Sequence, residues 1–159
     1  MSKQLEILLQ TRRNLLSLID DLTIDQLNEI PAGFNNNIVW NLGHMIASQQ
    51  GVCYLRAGLP LVVEEKYFES FKPGTRPSAS INSDELDTLK ALLLSTIDQL
   101  KADYENDLFK NYIPWTTRYN VPLSNIDETI NFLTFHDGLH VGYIMALKHL
   151  VKQLNSASI

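Results

Sequence analysis

The stretch SNIDETINFLTFHDGLHVGYIMALKHLVKQ, Ser124 to Gln153, decides the fold. From Ile130 to Leu147 it carries one formal charge, Asp137, flanked by His136 and followed by His140. A long run without proline and almost without charge reads as a helix whose histidines face inward. Ser124 with Asp127 resembles a capping signal at its start, and the helix is expected to reach about Gln153. An inward-facing side of this length needs other helices to cover it.

Three further stretches supply them. Leu5, Leu8, Leu9, Leu15, Leu16, Ile19 and Leu22 recur at helical steps and make an apolar stripe. Thr23 with Gln26 forms a capping-box pattern that opens a short turn ended by Pro31. A second long helix is expected to begin with Asn36 or Asn37 as its cap and to run to about Arg56, stopped by Gly58 and Pro60. The third opens at Asn82 or Ser83, with Leu86, Leu89, Leu93, Ile97 and Leu100 on one face. Residues 58–82 hold no sustained period, and a connection that long is usually functional or packs as a small structure of its own. Residues 111–124, NYIPWTTRYNVPLS, combine turn formers with aromatics and suit a short hairpin. The fold class is all-α: a four-helix bundle in a single domain, residues 1–159, whose long middle connection can cross the bundle.

Composition narrows the function. A formal net charge of −5, with Arg12–Arg13 the densest basic spot, excludes a phosphate-neutralising surface and hence nucleic acid as a partner. Cys53 is the one cysteine, which rules out an internal disulfide and suits a reducing, cytoplasmic compartment. Charged residues interrupt the N-terminal apolar positions, so no signal peptide is expected, and no apolar run approaches a membrane span.

His136 and His140 lie on one helix face, about 5–6 Å apart at Cβ, so both can reach one metal ion. Imidazole suits Zn, Ni, Cu or Fe, and three protein ligands with an open position is the pattern of a catalytic site. The third ligand is not downstream: no acid follows Asp137, and His149 lies about 13 Å further along the helix axis. A protease site of the HExxH kind therefore fails twice, lacking a downstream ligand and having an aspartate in place of the longer glutamate. Upstream, His44 in VWNLGHMIASQQG follows Trp40 and Leu42 in a helix with little charge, and helices facing each other in a bundle commonly share a metal.

These residues resemble the DinB/YfiT-like superfamily. The resemblance spans nearly the whole chain: an apolar first helix, TIDQLNEIPAGFNNNIVWNLGHMIASQ with its single histidine, a long linker, and SNIDETINFLTFHDGLHVGYIMAL with the pair. It implies a four-helix bundle in up-down-down-up order and a divalent metal, Zn or Ni foremost, held by His44, His136 and His140. Characterised branches use a low-molecular-weight thiol in S-transfer or isomerisation, so the resemblance implies a metal-dependent thiol S-transferase or hydrolase acting on a small molecule. The alternative is a non-catalytic, stress-associated binding module with a structural or empty metal site. Leucine-rich helix faces also suit a homodimer.

The neighbours of the histidines carry two readings each. Asp137 either orients a histidine or serves as a buried capping or salt-bridge acid. Gly138 and Gly142, like Gly43 and Gly51, mark either close helix packing or room for a ligand. Gln49, Gln50 and Tyr143 are candidate pocket residues, with at least one glutamine expected at the surface. Cys53 is expected to be buried and structural. Tyr67, Phe68, Phe71, Trp115 and Tyr119 are candidate pocket walls, with ordinary loop packing the commoner fate.

Overall fold

The computed structural model describes residues 2–156. Its elements are α1 (Ser2–Ile19), α2 (Ile24–Asn28), α3 (Ile38–Gln49), α4 (Glu65–Phe71), α5 (Ser83–Glu105), the strands β1 (Trp115–Thr116) and β2 (Pro122–Leu123), and α6 (Ile126–Ser156). The protein is mostly helical, and the two strands pair antiparallel, Trp115 opposite Leu123, as the hairpin expected from residues 111–124.

Local signals place most of the helix starts. Thr23 and Gln26 form the reciprocal capping box on α2, and Asn82 with Glu85 forms another on α5. Asn37, not Asn36, caps α3 by accepting from the Trp40 N–H. At α6 the expected cap is corrected by one residue. Asn125 accepts from the Glu128 N–H while Glu128 reaches back to the Ser124 N–H, so Ser124 and Asp127 are not the box. Asparagine and glutamate three apart satisfy more orphan donors than the serine pattern one step earlier.

The second long helix does not stay regular to Arg56. It passes from α3 into a π-helical turn, Gln50–Tyr54, and a 3₁₀ turn, Leu55–Ala57, before Gly58 (φ +70°) closes it. Residues 58–82 pack as a structure of their own, containing α4. The Phe71 ring of α4 lies where a side chain on Gly43 would be, 2.3 Å from a Cβ built there, which explains the glycine in α3. Gly138 and Gly142 have nothing within 4 Å of such a Cβ, so neither marks close packing.

Each of α1 and α3 packs against both α5 and α6. Of the stripes read from the sequence, Leu5, Leu8, Leu15, Ile19 and Leu22 are buried at and just after α1, with Leu9 and Leu16 half-buried, and Leu86, Leu89, Leu93, Ile97 and Leu100 are buried on α5. The apolar interior nevertheless divides into two clusters, one around Leu15, Met45, Leu93 and Ile144, the other around Leu8, Cys53, Ile97 and Leu133. Between them lies a polar layer drawn from all four long helices: Arg12 of α1, Gln49 of α3, Thr96 of α5 and Asp137 of α6. Among the described residues no helix is long and apolar enough to cross a membrane.

Candidate metal centre

Packing of α3 against α6 brings His44 to the histidine pair across ninety residues of sequence. One nitrogen of each of His44, His136 and His140 lies within 4.8 Å of the others, a set that could hold a metal ion. Ring centroids are 5.5 Å apart for His44–His136, 5.0 Å for His44–His140 and 4.5 Å for His136–His140. Trp40 stacks on His44 with 4.5 Å between centroids and 12° between planes, fixing that ring on its outer side.

Outer partners decide which nitrogen each ring presents. The His44 Nδ1–H donates to the Phe71 carbonyl at 2.7 Å, because a carbonyl can only accept. Asn41 donates through its Nδ2 to the Asn37 carbonyl at 2.7 Å, which orients the amide and leaves Oδ1 as acceptor. The His140 Nδ1–H therefore donates to Asn41 Oδ1 at 2.8 Å. Both rings thus carry the proton on Nδ1 and leave Nε2 as the lone-pair nitrogen, which at His44 faces the Ser48 hydroxyl at 3.2 Å. His136 Nδ1 faces Asp137 Oδ1 at 3.6 Å, too long for a hydrogen bond, and both atoms are buried without a partner. Asp137 is nevertheless the carboxylate that the His136 Nδ1 faces. Three imidazoles with acceptors behind Nδ1 are the arrangement metal-ligating histidines use, and the donor set fits a divalent ion.

Protonation favours the same role. Burial, with the neighbouring His136 adding to it, lowers the His44 pKa to about 4 and the His140 pKa to about 3. Neutral imidazole is the form that binds metal.

Asp137 takes both readings open to it. Its side chain is wholly buried and its Oδ2 pairs with Arg12 Nε at 2.8 Å, while Oδ1 faces His136. Burial alone would raise its carboxyl; the Arg12 charge and hydrogen bond outweigh this and hold it below the ordinary carboxylate range. Arg12 is fully buried as well, spending its remaining donors on Gln49 Oε1 and on the Leu93 and Met45 carbonyls. The expectation for Gln49 and Gln50 is corrected: both are fully buried and neither lines the pocket. Gln49 bridges Arg12 to the Thr96 carbonyl, and Gln50 accepts from the Val62 N–H, ordering the start of the long connection.

The histidines open into a pocket of about 660 Å³, lined also by Trp40, Ser48, Trp115, Tyr119, Phe132 and Tyr143. Of the aromatic candidates, Trp115 and Tyr119 are walls, whereas Tyr67, Phe68 and Phe71 are not among the lining residues. Tyr67 and Phe71 pack on the apolar core, and Phe71 serves the site through its carbonyl. Ser48 Oγ is 3.2 Å from His44 Nε2. Cys53 is buried and burial pushes its thiol pKa up, so it is an inert core group. His149 is exposed and pairs with Gln153, apart from the triad.

Arg12 and Asn41 are the residues that motif reasoning missed, and both left a signal. Leu5, Leu8, Arg12, Leu15, Ile19 and Leu22 alternate steps of three and four, so Arg12 occupies a core position of the α1 stripe. Asn37, Asn41, His44 and Ser48 follow the same steps on α3 and mark one polar ridge.

A search of curated proteins finds no match to the chain. The family model of the DinB superfamily matches residues 7–144, a span that takes in His44, His136 and His140 together with Arg12, Asn41 and Asp137. The chain belongs to the DinB superfamily.

Proposed function

We propose that the protein is a metal-dependent enzyme of thiol S-transferase or hydrolase type, acting on a small molecule bound in the pocket above the histidines. The single observation that carries the reading is three imidazole nitrogens within 4.8 Å of one another at an open pocket of about 660 Å³. His44, His136 and His140 would hold the ion, Zn or Ni foremost, and the wall residues would hold the substrate. A divalent ion there supplies Lewis-acid chemistry, favouring deprotonation of a thiol or water that it binds.

The chain's own groups support that use. Phe71, Asn41 and Asp137 orient the three rings, and Arg12 fixes Asp137 so that its carboxylate stays beneath His136. Because Asp137 is locked from below, it is a positioning residue and not a free general base. Trp40 and Trp115 shield the site with apolar surface, while Ser48 offers a hydroxyl beside His44. The contacts in which α1 and α3 each meet α5 and α6 support a four-helix arrangement, and the proposal takes it as an up-down-down-up bundle forming one domain over residues 1–159. A homodimer and a cytoplasmic location complete the proposal.

Elemental analysis of purified wild type against His44→Ala and His136→Ala tests it, followed by titration with a low-molecular-weight thiol. Near-stoichiometric metal in the wild type, lost in both variants, is expected. Unchanged metal content in His136→Ala sinks the triad. Full occupancy that resists chelators and admits no thiol supports the non-catalytic binding module.

A further inference from the structure

Treating the pocket as the ligand site, as above, leaves its ligand unnamed, and the charges at its rim narrow that choice. Arg76 lines it from the connection between α4 and α5, and Arg118 lines it from the β1–β2 hairpin. Both are exposed, and neither forms an ion pair among the described residues. No aspartate or glutamate lines the pocket. The acid beneath it, Asp137, is already committed to Arg12. A chain of formal charge −5 thus presents an uncompensated positive mouth at its one triad of histidines. Clefts lined by one sign of charge concentrate ligands of the other.

Both arginines are rooted in ordered backbone. Arg118 and Tyr119 sit at the centre of a turn closed by the Asn120 N–H donating to the Thr117 carbonyl at 3.0 Å. The Thr117 hydroxyl accepts from the Tyr119 and Val121 N–H groups at 3.3 and 3.2 Å. Arg76 follows Thr75, whose hydroxyl accepts from Trp40 Nε1–H at 3.1 Å and lies 2.9 Å from the Lys72 carbonyl. The two guanidinium groups thus reach the pocket from two separately anchored segments.

The lining gives a ligand's body apolar surface through Trp40, Trp115, Phe132 and Leu139, beside the neutral polar groups of Asn35, Asn36, Ser48 and Thr75. Phosphate sites commonly use open helix N-terminal amides, and at the nearby start of α3 the Trp40 N–H is already taken by Asn37 at 2.7 Å. What the rim offers is the planar guanidinium fork, which pairs with a carboxylate, as with a phosphate, in two parallel hydrogen bonds, and the aromatic lining beside it suits an organic acid rather than a bare inorganic anion. We infer that the pocket takes a small organic acid, its aromatic or aliphatic body against Trp40 and Trp115 and its carboxylate held by Arg76 and Arg118.

The test uses a built-in reporter, because both tryptophans of the chain line the pocket. Full-length protein, metal-free and supplemented with Zn, is titrated with 4-phenylbutyrate and with neutral 4-phenylbutanamide, read by tryptophan fluorescence and calorimetry. The acid is expected to bind at least about tenfold tighter than the amide in both metal states, the preference one charge-assisted contact supplies. Arg76→Gln/Arg118→Gln, checked for an unchanged circular dichroism melt, should remove that preference and leave amide binding alone. Equal binding of acid and amide, no binding of either, or a preference that survives in the double variant overturns the inference. A preference that survives the double variant but vanishes on metal removal places the carboxylate on the ion, which overturns the arginine assignment while supporting the metal reading. A preference that needs the arginines but not metal sustains the inference even where elemental analysis finds no ion.

Discussion

Arg12 and Asp137, 125 residues apart, meet as an ion pair whose side chains are both fully excluded from solvent, Nε to Oδ2 at 2.8 Å. The pair joins the first long helix to the last, and its free carboxylate oxygen faces His136 at 3.6 Å. A stability element and a site element are thus one carboxylate. Separating the two roles is the first use of the structure.

Removing only Arg12 leaves Asp137 buried without a counter-charge. Arg12→Met is expected to destabilise the protein by about 3–5 kcal/mol, the cost of breaking one side of a buried pair. Arg12→Met/Asp137→Leu should recover most of that loss, since a well-packed apolar replacement is often neutral. Metal affinity should nevertheless stay reduced by about 10–100-fold in the double variant, because His136 has lost the carboxylate that faces its Nδ1. Denaturant melts and chelator competition read the two quantities. A double variant with wild-type metal affinity removes Asp137 from the site.

Asn41 separates more cleanly, since it touches His140 without carrying a charge. Asn41→Leu should weaken metal binding about 10–100-fold by freeing the His140 tautomer. Asn41→Asp, which keeps an oxygen acceptor for the Nδ1–H, should retain most of it. Equal losses in both variants would mean that Asn41 acts through α3 packing and not through the imidazole.

The lowered histidine pKa values predict how the metal-free protein responds to acid. In the unfolded chain His44 and His140 take up protons near their ordinary value of 6.5; in the folded protein they resist until about 4 and about 3. Between those limits the unfolded state binds more protons, so stability falls as pH drops below about 6.5 and keeps falling to about pH 3. Above about 6.5 these two groups contribute no slope. A melting temperature of metal-free protein that stays flat from pH 7 to 5 contradicts the burial of these rings. Added Zn should raise the melting temperature without moving the onset near 6.5, which the unfolded-state histidines set, and should extend the loss to lower pH, because protons and metal compete for the same nitrogens in the folded protein.

Two glycines give a paired test of packing against space. Gly43→Ala drives a Cβ to 2.3 Å from the Phe71 ring and should cost about 1–3 kcal/mol, the usual range for overpacking. It should also weaken metal binding, since Phe71 carries the carbonyl that orients His44. Gly138→Ala meets nothing within 4 Å and should stabilise α6 by up to about 1 kcal/mol through helix propensity alone. Thermal melts of the two variants should move in opposite directions.

Legibility followed the range of the interactions. The α5 stripe, the Thr23 and Asn82 caps and the 111–124 hairpin depend on neighbours within a few residues, and periodicity or turn chemistry exposes them. The Asn125 cap was displaced by one residue because Ser124 and Asn125 both suit that position, and only the reach of Glu128 chooses between them. Gln49 was misplaced at the pocket because a glutamine in a helix gives no sign of what lies across from it. Its partner is the arginine of another helix. Arg12 itself was readable as a core position but not as a useful one, since a charge in an apolar stripe has no meaning until its counter-charge is known.

By itself the sequence determined a helical protein with two histidines one turn apart and a third in a charge-poor helix, because spacing along one helix is a local property. Only the tertiary structure decided that His44 stands within metal-sharing distance of the pair, that Asp137 faces His136 while bound to Arg12, and that Arg76 and Arg118 share one rim. Those relationships depend on how helices distant in sequence pack against one another, and that is settled by filling the interior between them and satisfying its buried polar groups.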